Sequence, residues 1–314
     1  MTTAGAADDV RARYIRSALP ILAPAVAVST AVASAFVFSS AAGKLGPAGD
    51  AAAPVAAAMC VGVVLVDYWL PSGEHPRRVW GLFVAWAAAW FVCALVSLLA
   101  EGAQIVGVAV SRLTVGEVGE LLHSTNLGQW GLVGVVCPLV LTVIGSDAMR
   151  GGTGWHPALV LGVAALGIIA SPLTGHLSLT TAGALVISAH AVAAAVWMGP
   201  LLAATSLLSS SAAWSGVLRR YSRVAWWSAW TVAASGAMAG VVRMTTAEVT
   251  RSYLVLFGLK IAVLVVLFAC GARARRVWVG RPDTSSRTSV RRATTEFAVM
   301  AVAVGIAATL SSTP

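Results

Sequence analysis

The 314-residue chain is 58% hydrophobic and only 11% charged, against about 25% charged residues in an ordinary soluble domain, so the bilayer is the solvent to consider. Its net charge of +9 would suit a nucleic-acid partner, but the arginines fall between apolar blocks and not along one arm or face, which argues against nucleic acid. Four cysteines (Cys60, Cys93, Cys137, Cys270) lie far apart in or at the ends of apolar blocks, with no C-x-x-C, and read as buried thiols and not as disulfides.

Nine apolar blocks follow one another, at roughly 19–42, 51–70, 79–100, 127–146, 157–173, 181–208, 222–244, 252–271 and 293–311. Most reach the length of about 20 residues that a helix needs to cross a hydrocarbon core of about 30 Å. Arg11, Arg13 and Arg16 precede the first block, which is too long for the core of a signal peptide and lacks a cleavage site, so it reads as a membrane helix starting inside the cell. Pro172 clips the fifth block, which is the weakest span.

Basic residues test this division. With the N-terminus inside, the inner segments hold Arg11, Arg13, Arg16, Arg77, Arg78, Arg150, Arg219, Arg220, Arg223, Arg273, Arg275, Arg276, Arg281, Arg287, Arg291 and Arg292, sixteen in all. The outer segments hold four: Lys44, Arg112, Arg243 and Arg251. Lys260 lies within a block. Removing one span would reverse the bias downstream, so the expected architecture is an all-α bundle of about nine spans, N-terminus inside and C-terminus outside. It divides into a four-helix region at 1–150 and a second region, helices five to nine, at 151–314. The inner 271–292 connection is basic and serine-rich, suited to orienting the chain and touching anionic lipid head groups.

Few ionisable residues fall inside the blocks. His190 stands about nine residues into the sixth, roughly 13 Å from its outer end at about 1.5 Å per residue, and an ionisable group at such a depth marks a functional site by default. His176 sits in the outer connection just before it, and Trp197 follows His190 by seven residues on nearly the same helical face. Met59, Cys60, Met238 and Met244 map to the outer halves of other blocks, where a methionine is more often a packing residue than a ligand. Glu117, Glu120 and His123 are spaced i, i+3, i+6 in the outer connection and read as a surface amphipathic turn, while His75 and His156 read as solvent-facing beside prolines. Lys260 and Glu296 complete the buried-charge candidates, Glu296 near enough to the inner interface to snorkel.

Gly175-His176, His190 and Trp197-Met198-Gly199-Pro200-Leu201 together resemble the signature of the CopD copper-resistance family, a Gly-His, a second histidine and then Trp-x-Gly-Gly-Leu. The resemblance continues through Arg220-Tyr221-Ser222-Arg223, Ser235-Gly236, the Tyr253-Leu254 to Lys260 stretch, Glu296 and the closing Thr309–Pro314. It covers roughly 171–314; earlier helices match only in hydropathy and a loose Leu127-Gly128 … Trp130 element. It implies a multi-pass protein of the cytoplasmic membrane that handles a copper ion, in many members by moving it inward. His176 and His190 are then the candidate copper ligands, with Met238 or Met59 as a weaker third. Trp197 and Gly199 shape the helix beside them, and Lys260 and Glu296 take the family's lysine and glutamate positions.

Three departures stand out: Pro200 replaces the second glycine, no periplasmic copper-binding domain is fused, and the chain stops at Pro314. Some actinobacterial relatives continue from there into a module linked to haem–copper oxidase assembly, so the chain could be the N-terminal half of such a fusion. Copper import, without enzymatic chemistry, is the expected function. The rivals are copper delivery to an oxidase without translocation, and a b-type haem membrane protein with paired histidines as axial ligands. Expected partners are membrane lipid and either a periplasmic copper chaperone or oxidase-assembly components.

Overall fold

The computed structural model describes residues 45–70, 76–151, 155–174, 180–208, 210–246 and 251–278. Every regular element among them is a helix. In chain order they are α1 (Leu45–Trp69), α2 (Pro76–Val106), a 3-10 turn (Val110–Arg112), α3 (Val115–Ser124), α4 (Asn126–Gly151), α5 (Pro157–Ala170), a second 3-10 turn (Pro172–Thr174), α6 (Thr181–Leu207), α7 (Ser211–Thr246) and α8 (Arg251–Trp278). Seven of the nine apolar blocks are therefore helical; the first and last, 19–42 and 293–311, lie outside the described residues. Five described helical stretches are long and apolar enough to cross a membrane: Ala52–Trp69, Arg77–Val106, Asn126–Gly151, Pro157–Thr174 and Thr181–Leu207. In α7, tryptophans, serines and arginines dilute the apolar content that its length would otherwise supply.

Local chemistry sets several boundaries. α5 ends at Ala170 and tightens into the 3-10 turn at Pro172, as a proline that cannot extend the helix requires. The Thr180 hydroxyl accepts from the Gly183 N–H and caps α6. In the outer connection, Thr114 and Glu117 form a reciprocal capping box that starts α3.

α1 is the central helix. It packs against α2, α5 and α6, while α4 lies on α2, α7 on α6, and α8 on α7. From Val55 to Val66 nearly every α1 residue is buried, so the helix is apolar on all sides. One buried cluster joins α1 to α2, α4, α5, α6, α7 and Leu267 of α8, and so draws on both sides of residue 150.

The α1–α6 crossing is the closest. A Cβ on Gly62 would stand 2.0 Å from the Gly199 carbonyl oxygen, and one on Gly199 would stand 2.0 Å from that of Ala58. Ala58 and Gly62 are four apart, the spacing that lets two membrane helices bring their backbones together. Gly199 therefore stands at the α1–α6 crossing, where the lack of a side chain lets the two backbones meet. The following Pro200 is buried in the same helix and removes one N–H from the ladder.

One end of the bundle gathers arginines. Arg78 donates to the Ser206 carbonyl near the end of α6 at 3.2 Å, and Arg220 of α7 donates to the Trp69 carbonyl ending α1 at 2.6 Å. These carbonyls have no partner within their own helices, and a cation there also meets the negative end of the helix dipole. Met149 of α4 approaches Gly81 of α2. The ends of α1, α4 and α6 and the early turns of α2 and α7 thus share this face with Arg77, Arg78, Arg150, Arg219, Arg220 and Arg223. At the opposite end, Asn126 at the start of α4 donates to the Leu173 carbonyl.

Candidate metal site at the α6–α7 contact

His190 lies nine residues after the start of α6 and sixteen before Ser206, roughly 24 Å from the arginine end. Ser235 of α7 lies fifteen residues beyond Arg220, roughly 22 Å from that same end. The two antiparallel helices therefore bring these side chains level, and His190 Nδ1 lies 2.9 Å from Ser235 Oγ. The serine is buried, and its hydroxyl donates to the Thr231 carbonyl one turn back. A Cβ on Gly236 would stand 3.5 Å from His190 Cε1, so the ring rests on α7 at ordinary contact distance.

α8 closes the neighbourhood through two phenylalanines. Phe257 fills the space at Gly240, and Phe268 packs against Trp230, Trp226 and Trp197 with ring centroids 5.4, 6.4 and 6.3 Å away. These pairings set an antiparallel register in which the α8 backbone at Lys260 is level with residues 236–238 of α7. Three helices thus bring His190, Ser235 and position 260 to one depth. Trp197 has a second role: its carbonyl accepts the buried Tyr221 hydroxyl at 2.9 Å, tying α6 to α7.

The methionines divide. Met59 is 0% exposed inside the α1 core, with Cys60 beside it. The α1–α6 crossing at Gly62 and Gly199 puts Met59 nearer the level of Val196 than that of His190. Met238 follows Ser235 by one turn on α7 and is 52% exposed. His176 and Glu296 lie outside the described residues. No group of three or more His, Cys, Asp or Glu side chains suited to a metal occurs among the described residues. In α3, the Glu117 carboxylate accepts both the Thr114 N–H and the Thr114 hydroxyl at 2.7 Å, so it serves the cap. His156 caps α5 through its Nδ1, which accepts from the Ala158 N–H.

Sequence reasoning gave Ser235 no role beyond its place in a motif, and Phe268 none at all. The small Ser235-Gly236 pair, in a helix otherwise rich in tryptophan, was the available signal.

Residues 215–310 match the family model described as Copper resistance protein D (CopD). That segment is similar to the CopD family. The match takes in α7, α8 and Ser235, covers about a third of the chain, and begins after His176, His190 and Trp197-Met198-Gly199-Pro200-Leu201. Comparisons with curated proteins and with solved structures found no match. The likeness of this segment to a copper-resistance family stands beside five described helices long and apolar enough to cross a membrane.

Proposed function

We propose that this protein is a member of the CopD family that takes up copper in the outer half of the cytoplasmic membrane at His176 and His190 and conducts it inward. The observation that carries the reading is the His190–Ser235 pair, an imidazole held by a hydrogen bond far from the arginine end of the bundle. Imidazole suits copper and other late transition ions better than hard cations. Copper is cargo here, and the chain moves it without making or breaking covalent bonds. Met238, one turn from Ser235, is the better placed of the two thioether candidates, and Met59 serves the core. Lys260 and Glu296 are carried into this reading as the residues at the lysine and glutamate positions of the CopD pattern.

The orientation belongs to the same proposal: about nine spans, N-terminus inside, C-terminus outside. It draws support from the six arginines gathered at one end, because positive residues favour the cytoplasmic side. A periplasmic chaperone that presents copper to the outer face is the partner this orientation calls for.

The test compares cellular copper in cells producing wild type and His190→Ala, alongside copper titration of the purified proteins. Import predicts lower cellular copper and weaker binding in the variant. Unchanged stoichiometry and affinity would remove the site. Unchanged cellular copper with reduced oxidase activity would replace import with delivery, and a Soret band in the purified protein would replace both with haem.

A further inference from the structure

We propose that Arg78 and Arg220, where α1 and α6 end, form a binding site for the phosphate of an anionic phospholipid headgroup. Both guanidinium groups are held at this level by helix carbonyls. Arg78 donates to the Ser206 carbonyl of α6, and Arg220 donates to the Trp69 carbonyl of α1. A guanidinium carries five N–H donors in a planar fork, so one carbonyl leaves most of them for a second acceptor. Both arginines are exposed, so that acceptor comes from outside the bundle.

The α1–α6 crossing sets the two anchors side by side. The backbones meet at Gly62 and Gly199, and Trp69 and Ser206 each follow by seven residues. Both carbonyls therefore stand about 10 Å beyond one shared point, at about 1.5 Å per residue. Apolar spans stop at this level, at Trp69 and at Leu207. Tyr68 is 68% exposed beside Trp69, and an aromatic side chain with a polar tip suits the boundary between hydrocarbon and headgroups. Lipid phosphates lie at that boundary. Arg77, Arg150, Arg219 and Arg223 stand exposed at the same end, where the carboxylates among the described residues are Asp67 and Asp147. Asp147 already accepts the Trp155 indole N–H. The surplus is positive, and a guanidinium fork matches two phosphate oxygens. Phosphatidylcholine brings its own ammonium to such a surface, whereas phosphatidylglycerol brings only the negative charge, so the surface favours the anionic lipid. Arg78 joins α2 to α6 and Arg220 joins α7 to α1, so a phosphate shared between them ties four helices together. The site stands at the opposite end from His190 and does not rest on the copper reading.

The experiment uses the full-length chain in phosphatidylcholine nanodiscs with increasing phosphatidylglycerol, read by thermal midpoint and by the lipids retained in native mass spectrometry. Both leaflets carry the same lipids, so the outcome is independent of orientation. Wild type should retain phosphatidylglycerol in preference to phosphatidylcholine and unfold at a higher temperature as its fraction rises. Arg78→Gln and Arg220→Gln should each weaken that retention by roughly 5-fold, and Arg112→Gln, in the outer connection, should behave as wild type. Equal retention of the two lipids by wild type, or full retention in the double variant, overturns the proposal. Inorganic phosphate added to pure phosphatidylcholine discs should leave the midpoint unchanged, and a rise equal to that from phosphatidylglycerol overturns the lipid as ligand. Wild type alone also locates the site. A phosphatidylglycerol with a photoreactive headgroup should label the ends of α1 and α6, and labelling confined to the basic 271–292 connection overturns the assignment to Arg78 and Arg220.

Discussion

Gly62 and Gly199 show how much one missing side chain decides. With Cβ positions 2.0 Å from a facing carbonyl oxygen, neither accepts alanine unless α1 and α6 separate. Gly62→Ala should cost about 3 kcal/mol, the upper range for overpacking, read as a lower thermal midpoint in nanodiscs. Gly236→Ala is the contrast, because its Cβ would meet the His190 ring at an ordinary 3.5 Å. It should unfold close to wild type, and equal losses in the two variants would sink this account of the crossing. His190 stood out in the sequence because a lone histidine in an apolar block is conspicuous. Its partner was not, because a serine in a membrane helix bonds its own backbone as readily as a neighbour. Only the approach of α7 to α6 brought the serine to His190.

Among the elements, α3 carries a pH-sensitive end. The Thr114 backbone N–H and hydroxyl donate to the Glu117 carboxylate and hold it below the usual carboxylate range. A depressed folded pKa contributes stability that is present above the unfolded value and is lost as pH falls through the folded one. Amide exchange at the start of α3 should therefore be slow at neutral pH and quicken below the ordinary glutamate range. In Glu117→Gln that acid-dependent step should vanish, and a step of the same size in the variant would assign it to another group. The helices themselves were largely legible: 157–173 was expected to be clipped by Pro172, and α5 ends at Ala170 just before it, while 181–208 is α6 almost to the residue. α2 and α7 run further than their apolar blocks, to Val106 and back to Ser211, because helix geometry continues beyond the hydrophobic stretch that marks it. The 101–126 connection holds a capped helix, which the i, i+3, i+6 spacing of Glu117, Glu120 and His123 had signalled as an amphipathic turn.

For the whole molecule, the prediction is sidedness. Single cysteines introduced in a background lacking the native four, at Arg223 and at the 90% exposed Val115, should label from opposite faces of intact cells. Val115→Cys should react with an impermeant maleimide added outside, and Arg223→Cys only after permeabilisation. The reverse pattern would overturn the orientation and move the His190 level to the inner half. Sequence by itself determined the helical class, the membrane as solvent and the resemblance to CopD. These follow from apolar length, charge bias and motif order, which are one-dimensional. Tertiary structure decided which faces meet: Met59 in the core and Met238 near the site, Gly199 against Gly62, Ser235 under His190, and Lys260 level with both. In a bilayer the lipid is as apolar as the packing face, so a helix that is hydrophobic all round carries no stripe to say which side turns inward. That choice is left to close packing and a few interhelical hydrogen bonds, which appear only when the helices are brought together.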